Sequence, residues 1–314
     1  MSYKTTFVTC LFNCHRDSGF NHEANNYYFK NSVRTMLIEE PLVIYCDPEY
    51  VHKYTELRKL LGYEHITTVI PFDYKTFALY KYKDHITSFK NFQPDAKLNA
   101  DLYIIWFSRF EMMLKTMDYN FYNSSHFCWI DINLLTKPFS NSINYLQADI
   151  YDKLSEIAKN PRDRFAIQTI NCWNNNDYAN LDAFFSRYQW IVSCCFYTIE
   201  METGKFILPK LLEKTEELLQ LRYCQSDESI FAFIIDNYGE HFNLYLGDYQ
   251  DTIHNYFTVT SNHGYVNWVI SLYYQKNQQK RLKNILMQYK EYYASKKLEF
   301  PYQEHIDRLN SENV

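Results

Sequence analysis

The stretch that decides the fold is Phe127-Cys128-Trp129-Ile130-Asp131-Ile132-Asn133-Leu134. Its first four residues are apolar or aromatic without alternation, and a carboxylate follows them directly. Such a run is typical of a strand that is buried on both faces of a parallel sheet and ends at a polar edge. Open α/β sheets bind their ligands at the carboxyl ends of their strands. Asp131 is therefore either a ligand-binding residue or an ordinary turn acid after a core strand, and the spacing alone does not decide between them.

The composition limits the class of protein. The 314 residues are 46% apolar, which is enough for a sizeable core. A net charge of −5 and a pI near 6.1 disfavour a nucleic-acid-binding protein. The chain shows no run of 18 apolar residues and no signal peptide, so we expect a soluble cytoplasmic or otherwise intracellular protein, in the host cytoplasm if the source is a virus. The eight cysteines form no CxxC pair, which indicates free thiols in a reducing compartment and no zinc site.

The first part of the chain predicts a β-α-β-α-β unit. We expect strands over 5–12, 42–46 and 66–71 and helices over 23–38 and 49–61. Crossovers of this length favour a parallel, right-handed sheet. The Lys- and aromatic-rich segment that follows, 72–99, resembles a surface that stacks on bases or sugars, but in an acidic chain a solvated excursion is favoured.

The remainder predicts a mixed sheet. The expected helices are 101–117, 143–159, one that opens at Pro209, 229–238 and a terminal helix over 265–293, and the expected strands are 127–130, 165–170, 190–197 and 242–246. The terminal helix would pack internally or across a homodimer. The predicted fold class is therefore α/β, a single domain with a Rossmann-type, mostly parallel sheet flanked by helices and a mixed-sheet C-terminal half.

Four polar clusters directly follow predicted strands: Asn13 to Asp17, Asp47, Asp131 with Asn133, and Asp248. In a doubly wound sheet these strand ends face one crevice, so residues far apart in sequence are expected to form one site. The sequence contains no GxGxxG, no GxxxxGK[ST] and no GxSxG motif. Dinucleotide-dependent dehydrogenases, P-loop kinases and α/β-hydrolases are therefore disfavoured.

The order of these elements resembles the HtrL/YibB (WlaTC) family of glycosyltransferases, nucleotide-sugar-dependent enzymes of the GT-A type. The segments that carry the resemblance span about residues 5 to 290: the first strand with its polar loop, Pro41-Leu42-Val43-Ile44-Tyr45-Cys46-Asp47, Ile105-Trp106-Phe107-Ser108-Arg109, Trp129-Ile130-Asp131, Asp227-Glu228, Gly247-Asp248-Tyr249 and Asn255-Tyr256. The resemblance implies a GT-A-like domain over 1–314, with a nucleotide-sugar-binding half, 1–135, and an acceptor-binding half with C-terminal helices, 136–314.

The resemblance also implies a divalent cation. GT-A enzymes commonly hold one with a DxD-like pair after the strand that corresponds to 127–130. Here Asp131 and Asn133 fill the two positions, and their oxygens suit Mn²⁺ or Mg²⁺ with one negative charge fewer. His263, or else His254, is the expected third ligand, while the alternative for each is a surface or turn histidine.

For the donor, the resemblance implies that Arg109 contacts the diphosphate, and a guanidinium suits bidentate contact. The alternative is a helix-surface arginine that pairs with a nearby acid. Asp47 would lie near the uracil or ribose, with Asn13 beside it. An acid at the entry to a helix is the competing interpretation of Asp47.

For the acceptor, the resemblance implies that Asp227 or Glu228 faces the acceptor hydroxyl as general base. The alternative is that both acids only favour the start of a helix through capping and its dipole. Trp173 and Asn174 are candidates for contact with the acceptor, because an exposed aromatic ring stacks on sugars. A surface loop without this role is the competing interpretation.

The leading functional hypothesis is transfer of a sugar from a nucleotide diphosphate, expected to be UDP, to a hydroxyl of a glycan or glycoprotein, as in hexosyltransferases. The alternative is a catalytically inactive GT-A-like protein that binds a glycan or a partner. Asn133 and the stretch Ser193-Cys194-Cys195, where related enzymes often carry small residues, motivate it. A nucleotidyltransferase is the third hypothesis, and the absence of a glycine-rich phosphate loop weakens it.

Overall fold

The computed structural model of the protein describes residues 3–14, 28–89, 99–136, 149–186, 189–223, 226–249, 251–260 and 262–312. Four predicted features lie partly outside these residues: the loop from Asn13 to Asp17, the helix over 23–38, the segment 72–99 and the helix over 143–159. Within the described part of the second, residues 28–32 are helical and Thr35–Leu37 form a 3-10 turn.

Seven strands form one sheet in the order β3-β2-β1-β4-β6-β5-β7. Their bounds are β1 Thr5–Leu11, β2 Leu42–Cys46, β3 Thr67–Pro71, β4 His126–Ile130, β5 Phe165–Thr169, β6 Val192–Glu200 and β7 Phe242–Leu246. β6 runs antiparallel to both β4 and β5, whereas the other pairings are all parallel. The predicted fold class, a mostly parallel α/β sheet with a mixed C-terminal half, is confirmed.

The pairing register brings the start of β6 beside the end of β4. Ile130 is paired with Phe196, and the backbone N–H of Asp131 donates to the carbonyl of Cys195 at 2.9 Å. Because β1, β2 and β4 are parallel, their carboxyl ends lie at this same edge of the sheet. By the same pairings β3, β5 and β7 also end at this edge, so β6 is the one strand of the seven-stranded sheet that begins there.

The helices cover both faces of the sheet. Their bounds are α1 Pro48–Leu60, α2 Lys83–Ile86, α3 Ala100–Tyr119, α4 Ile150–Lys159, α5 Asn175–Tyr178, α6 Leu181–Phe184, α7 Met201–Gln220, α8 Phe231–Tyr238, α9 His263–Gln275, α10 Gln279–Ser295 and α11 Gln303–Ser311. α3 and α7 pack on the face that presents Phe127 and Trp129. α1 and α4 pack on the face that presents Cys128 and Ile130. β4 is therefore covered on both sides, as its unbroken apolar sequence predicts.

Two helix predictions are wrong. Pro209 does not open a helix but lies inside α7, where burial of Ile207, Leu208 and Leu211 against the core outweighs the missing N–H. The terminal helix over 265–293 is two helices, because the chain turns at Asn277 with a φ of +53°. Together with α11 these helices enclose a separate apolar cluster.

The segment 72–89 contains short helical turns, and its Lys81 is an exposed side chain that pairs with Glu216 of α7. In the part of the chain that the structure describes, every helix is too short or too polar to cross a lipid bilayer.

Gly247, which directly follows β7, is required by close packing. A Cβ at this position would lie 2.7 Å from the Cβ of Asn255, a 2% exposed residue whose side chain donates a hydrogen bond to the carbonyl of Asp248.

We expect Gly247→Ala to lower the free energy of unfolding by about 1–3 kcal/mol through overpacking. Gly239→Ala is the matched control, because no atom lies within 4 Å of its added Cβ, and it should change stability by no more than about 0.5 kcal/mol. Urea unfolding measures both, and equal effects of the two substitutions would contradict the prediction.

Candidate active site

Arg109 is the centre of the candidate site. It extends from α3 into the core, where its side chain is only 4% exposed. Its Nε lies 2.8 Å from Oδ2 of Asp227, and its Nη1 lies 3.9 Å from Oδ1 of Asp131. One guanidinium thus brings together acids that are almost 100 residues apart in the chain.

Backbone carbonyls complete the surroundings of Arg109. Nη1 donates to the carbonyl of Cys194 in β6, and Nε donates to the carbonyl of Trp106 at 3.1 Å. Because the Nε–H bond is directed at Trp106, the contact with Asp227 is an ion pair rather than an aligned hydrogen bond. Arg109 pairs with an acid, as the alternative interpretation expects, but the part of that alternative which places the side chain on the helix surface is wrong, because the side chain is 4% exposed. The expected bidentate contact with a donor diphosphate does not fit this position, because the guanidinium is already enclosed by protein groups.

Asp131 lies at the edge of the same cluster. The indole Nε1 of Trp129 donates to its Oδ1 at 2.9 Å, and the guanidinium of Arg109 lies 5.4 Å from the Trp129 ring. The Asp131 side chain is 26% exposed, compared with 4% for Asp227. The carboxylate is therefore fixed through one oxygen and reaches solvent. Within the described residues it bonds no backbone N–H of the turn that follows, so it does not act as a turn acid.

Asn133 carries an unsatisfied oxygen. The residue is 9% exposed, and its buried Oδ1 has no hydrogen-bond partner within the described residues. Buried side-chain oxygens without partners are uncommon in proteins. An amide oxygen two residues after the Asp131 carboxylate provides the second of two oxygen ligands that a hard divalent cation accepts. The donor set of these two residues therefore fits the implied cation.

Each of the two histidines has another polar neighbour. Nδ1 of His263, at the start of α9, is 2.7 Å from the hydroxyl of Tyr302. Nε2 of His254 is 3.9 Å from Oδ1 of Asp149, and burial lowers the pKa of His254. Among the described residues, no group of three or more His, Cys, Asp or Glu side chains is arranged to hold a metal. The expectation that either histidine completes a site with Asp131 is therefore not supported, because both are engaged by other neighbours.

Asp227 and Glu228 begin a 3-10 turn, Asp227–Ile230, and both side chains point inward. Burial raises the pKa of Asp227 to about 6; Arg109 opposes this rise and Asp131 adds to it. Burial, followed by the charge of Asp227, raises the pKa of Glu228 to about 8. The two residues are only 3% and 7% exposed, and the capping alternative alone does not explain this burial.

The loops after β1 and β2 are joined to each other. The backbone N–H of Asn13 donates to Oδ2 of Asp47 at 2.5 Å, and Nδ2 of Asn13 donates to Glu49 at 3.3 Å. Asp47 immediately precedes α1 but makes no side-chain cap bond to that helix. The structure thus places these two donor-site candidates together at the edge where β1 and β2 end.

Trp173 does not lie where the sequence prediction requires. It is 1% exposed, its Nε1 donates to Asp236 at 3.1 Å, and the guanidinium of Arg281 lies 4.5 Å above its ring. Arg281 also pairs with Asp236. The predicted stacking of Trp173 on an acceptor sugar is therefore wrong, since the ring is covered by α10.

Asn174 has a structural role. Its side chain accepts a hydrogen bond from the backbone N–H of Asp177 at 3.2 Å and donates to the carbonyl of Lys276 at 2.9 Å. The first bond belongs to a capping box at the start of α5. These contacts occupy the Asn174 amide, so the prediction that it contacts an acceptor is not supported.

Sequence reasoning missed two groups at the site. Trp129 orients Asp131, but its position inside the strand predicts only burial. Tyr249 follows β7, and its pKa is raised by burial and by neighbouring charges that include Glu228 and Asp131. Tyr249 is adjacent to Asp248, which the polar cluster after β7 did single out. The side chain of Asp248 instead accepts a hydrogen bond from Thr260 at 2.7 Å.

The ion pair of Arg109 predicts a pH-dependent loss of stability. Arg109→Met leaves Asp227 buried without its cation, and removal of one partner of a buried pair typically costs about 3–5 kcal/mol. The loss should be larger at pH 8 than at pH 5, because Asp227 becomes protonated at the lower pH. Asp227→Asn in the Arg109→Met background should restore part of the stability. Urea unfolding at the two pH values measures the stability of each variant. Lys205→Met, on the exposed side of α7, is the control. An equal loss of stability at both pH values would contradict the prediction.

Glu228→Gln should stabilise the protein increasingly as the pH rises. The unfolded chain releases the Glu228 proton near pH 4.5, whereas the folded protein retains it to about pH 8. The stability contributed by this group is therefore complete below pH 4.5 and is lost as the pH rises towards 8. We expect the free energy of unfolding of the variant minus that of the wild type to increase between pH 5 and pH 8. Parallel pH profiles of the two proteins in urea unfolding would refute this.

Comparison with known proteins gives similarity of fold only. No protein-family model and no curated protein sequence matches the chain. The apo structure of mouse xyloside xylosyltransferase 1 is similar at 12% identity and a TM-score of 0.40, over 78% of this chain and 85% of that one. A 4-diphosphocytidyl-2C-methyl-D-erythritol synthase from Anaerococcus prevotii is similar at 10% identity and a TM-score of 0.36, over 84% of this chain and 94% of that one. At these values the similarity assigns neither a family nor an activity, and the HtrL/YibB resemblance stays a prediction.

Proposed function

We propose that the protein is a glycosyltransferase that moves a sugar from a nucleotide diphosphate, UDP in the first instance, to a hydroxyl of a glycan or glycoprotein. The observation that carries the proposal is the cluster around Arg109. It joins Asp131, at the end of β4, to the turn that bears Asp227 and Glu228. Acids with raised pKa values at the ligand-binding edge of an α/β sheet are candidates for catalysis.

On the donor side, Asp131 and Asn133 would hold Mn²⁺ or Mg²⁺, with the remaining ligands supplied by diphosphate oxygens and water. The bound cation would neutralise charge that develops on the diphosphate as the sugar leaves. Asn13 and Asp47 lie at the ends of the adjoining strands β1 and β2. This position supports contact with the nucleoside, which we assign to the half 1–135.

On the acceptor side, the half 136–314 supplies Asp227 and Glu228. The two carboxyls are the acid–base candidates, because the cluster keeps them beside Asp131 and away from bulk solvent. Trp129 would act indirectly by holding the orientation of Asp131. Arg109 would likewise position the acids rather than bind substrate.

A catalytically inactive protein of the same fold, which binds a glycan or a partner, is the second candidate. Two observations favour it over activity. Asn133 replaces a carboxylate in the pair that is implied to bind a cation, and Arg109 and Asp227 neutralise each other inside the protein.

A nucleotide-release screen decides between the candidates. UDP-glucose, UDP-galactose, UDP-xylose and UDP-N-acetylglucosamine are supplied with and without Mn²⁺, and released UDP is measured. We expect release from at least one of these sugars, and we expect Asp131→Asn to lower it at least about tenfold through loss of cation binding. Asp118→Asn, an exposed acid near the end of α3, is the control and should leave release unchanged.

The other outcomes are equally specific. Absence of release with every sugar nucleotide, together with glycan binding that survives Asp131→Asn, would support the inactive alternative. Release of pyrophosphate from a nucleoside triphosphate would instead indicate a nucleotidyltransferase.

A further inference from the structure

Two of the five tryptophans are left largely in solvent. Trp190 is 57% exposed and Trp268 is 51% exposed. The other three, at positions 106, 129 and 173, are buried or packed against the core. Aromatic side chains contribute a large apolar area when they are covered, so a ring that the fold leaves uncovered is informative about binding.

Trp190 lies at the ligand-binding edge of the sheet. It comes directly before Ile191 and β6, the strand that begins at this edge. The carbonyl of Ile191 accepts a hydrogen bond from the backbone N–H of Ile170 at 3.0 Å. Because Ile170 directly follows β5, Trp190 is placed beside the end of β5, on the side of β6.

Trp268 approaches the same strand end from the side of β7. Its ring centroid lies 6.0 Å from that of Tyr265, one turn earlier in α9. The hydroxyl of Tyr265 donates to the carbonyl of Ile170 at 2.6 Å and lies 2.9 Å from the carbonyl of Gly247, which follows β7. This contact fixes the start of α9 to the ends of β5 and β7. The two exposed indoles therefore flank the end of β5, although they belong to distant segments of the chain.

The end of β5 is close to the Arg109 cluster but on the far side of it from β1 and β2. In the sheet order β4-β6-β5, the end of β5 lies two strand spacings, or about 10 Å, from the end of β4. Cys194, whose carbonyl accepts a hydrogen bond from Arg109, follows Trp190 within the same segment. A chain of a few sugar rings would reach from the acids of the cluster to the indoles.

We propose that Trp190 and Trp268 form an indole platform for an oligosaccharide, which lies across the end of β5 and is the acceptor in the proposed transfer. The inference rests on the proposed function, because it narrows the acceptor to a glycan of several rings. A pyranose ring presents C–H groups on its faces, which pack on an indole, while the hydroxyls at its rim stay hydrated or bond to polar groups.

Other occupants fit these two indoles less well. A nucleic acid also stacks on aromatic rings, but it requires positive charge, and the chain carries a net charge of −5. A protein partner covers a larger continuous surface, about 800 Å² on each side in a standard interface. Here the strand ends separate the two indoles. The rings of a glycan repeat along its chain, so a glycan can cover both indoles without covering everything between them.

Binding of oligosaccharides tests the indole platform without any catalysis. Cellotetraose, chitotetraose, maltotetraose and xylotetraose are titrated into the full chain, and each Kd is measured by calorimetry. We expect at least one of them to bind, and to bind more tightly than its monosaccharide, because a single ring covers only one indole. Trp190→Ala and Trp268→Ala should each raise the Kd about tenfold, whereas Trp190→Phe keeps an aromatic face and should raise it no more than about threefold.

Tyr119→Ala is the matched control. Tyr119 is 68% exposed and lies at the end of α3, beside the opposite edge of the sheet where β4 begins. Its Kd should equal that of the wild type. All variants should unfold at the wild-type midpoint in urea, since exposed side chains contribute little to stability. Failure of the wild type to bind any of the four tetrasaccharides would overturn the proposal, and so would an unchanged Kd in either Trp190→Ala or Trp268→Ala.

Release of UDP distinguishes failure of this inference from failure of the proposed function. Trp190→Ala should leave the release of UDP without acceptor unchanged, because the donor is expected at the ends of β1, β2 and β4, and should lower kcat/KM for the tetrasaccharide. An enzyme that releases UDP, but whose tetrasaccharide binding is indifferent to both indoles, would keep the proposed function and overturn the platform. Binding that depends on both indoles, in a protein that releases UDP from no sugar nucleotide, would support the platform and overturn the proposed transfer.

Discussion

A positive charge buried in the core is the constraint on which the site depends. Transfer of a guanidinium out of water costs several kcal/mol unless charges and hydrogen bonds in the protein replace its hydration. For Arg109 the replacement comes from the carbonyls of Trp106 and Cys194 and from two acids. These groups belong to α3, β6, the end of β4 and the turn before α8. The four segments are therefore positioned by one side chain, and none can move far without leaving a buried charge uncompensated.

The same constraint makes the acids unequal. Asp227 is enclosed with the cation, Asp131 is held through one oxygen and reaches solvent, and Glu228 is buried beside both without a cation. For the two buried carboxyls, burial raises the pKa of Asp227 to about 6 and that of Glu228 to about 8, because Arg109 opposes the rise more strongly at Asp227. Such a difference is what an active site that must bind a cation, a phosphate group and a neutral sugar would need. The difference between the three carboxyl groups arises from where each one lies within the cluster.

Much of this arrangement could be predicted from sequence, because parallel strands end at one edge. The end of the β4 strand at Asp131 and the strands that precede Asn13 and Asp47 follow from apolar runs and their polar ends. The resemblance suggested in addition that Asp227 lies near Asp131. Burial of Arg109 could not be predicted, since an arginine in an amphipathic helix usually faces solvent. The prediction for Trp173 was wrong because its polar sequence neighbours indicate a surface loop. The helix that buries its ring, α10, lies more than 100 residues later in the chain.

The residue that covers Trp173, Arg281, also shows what α10 contributes to the fold. Asp236 in α8 is 6% exposed, and its cation, Arg281, belongs to α10. A chain that stopped before α10 would strand this carboxylate in the core and uncover an indole next to it. Helix α10 is accordingly a required part of this fold, because its arginine neutralises a carboxylate that lies in the middle of the chain.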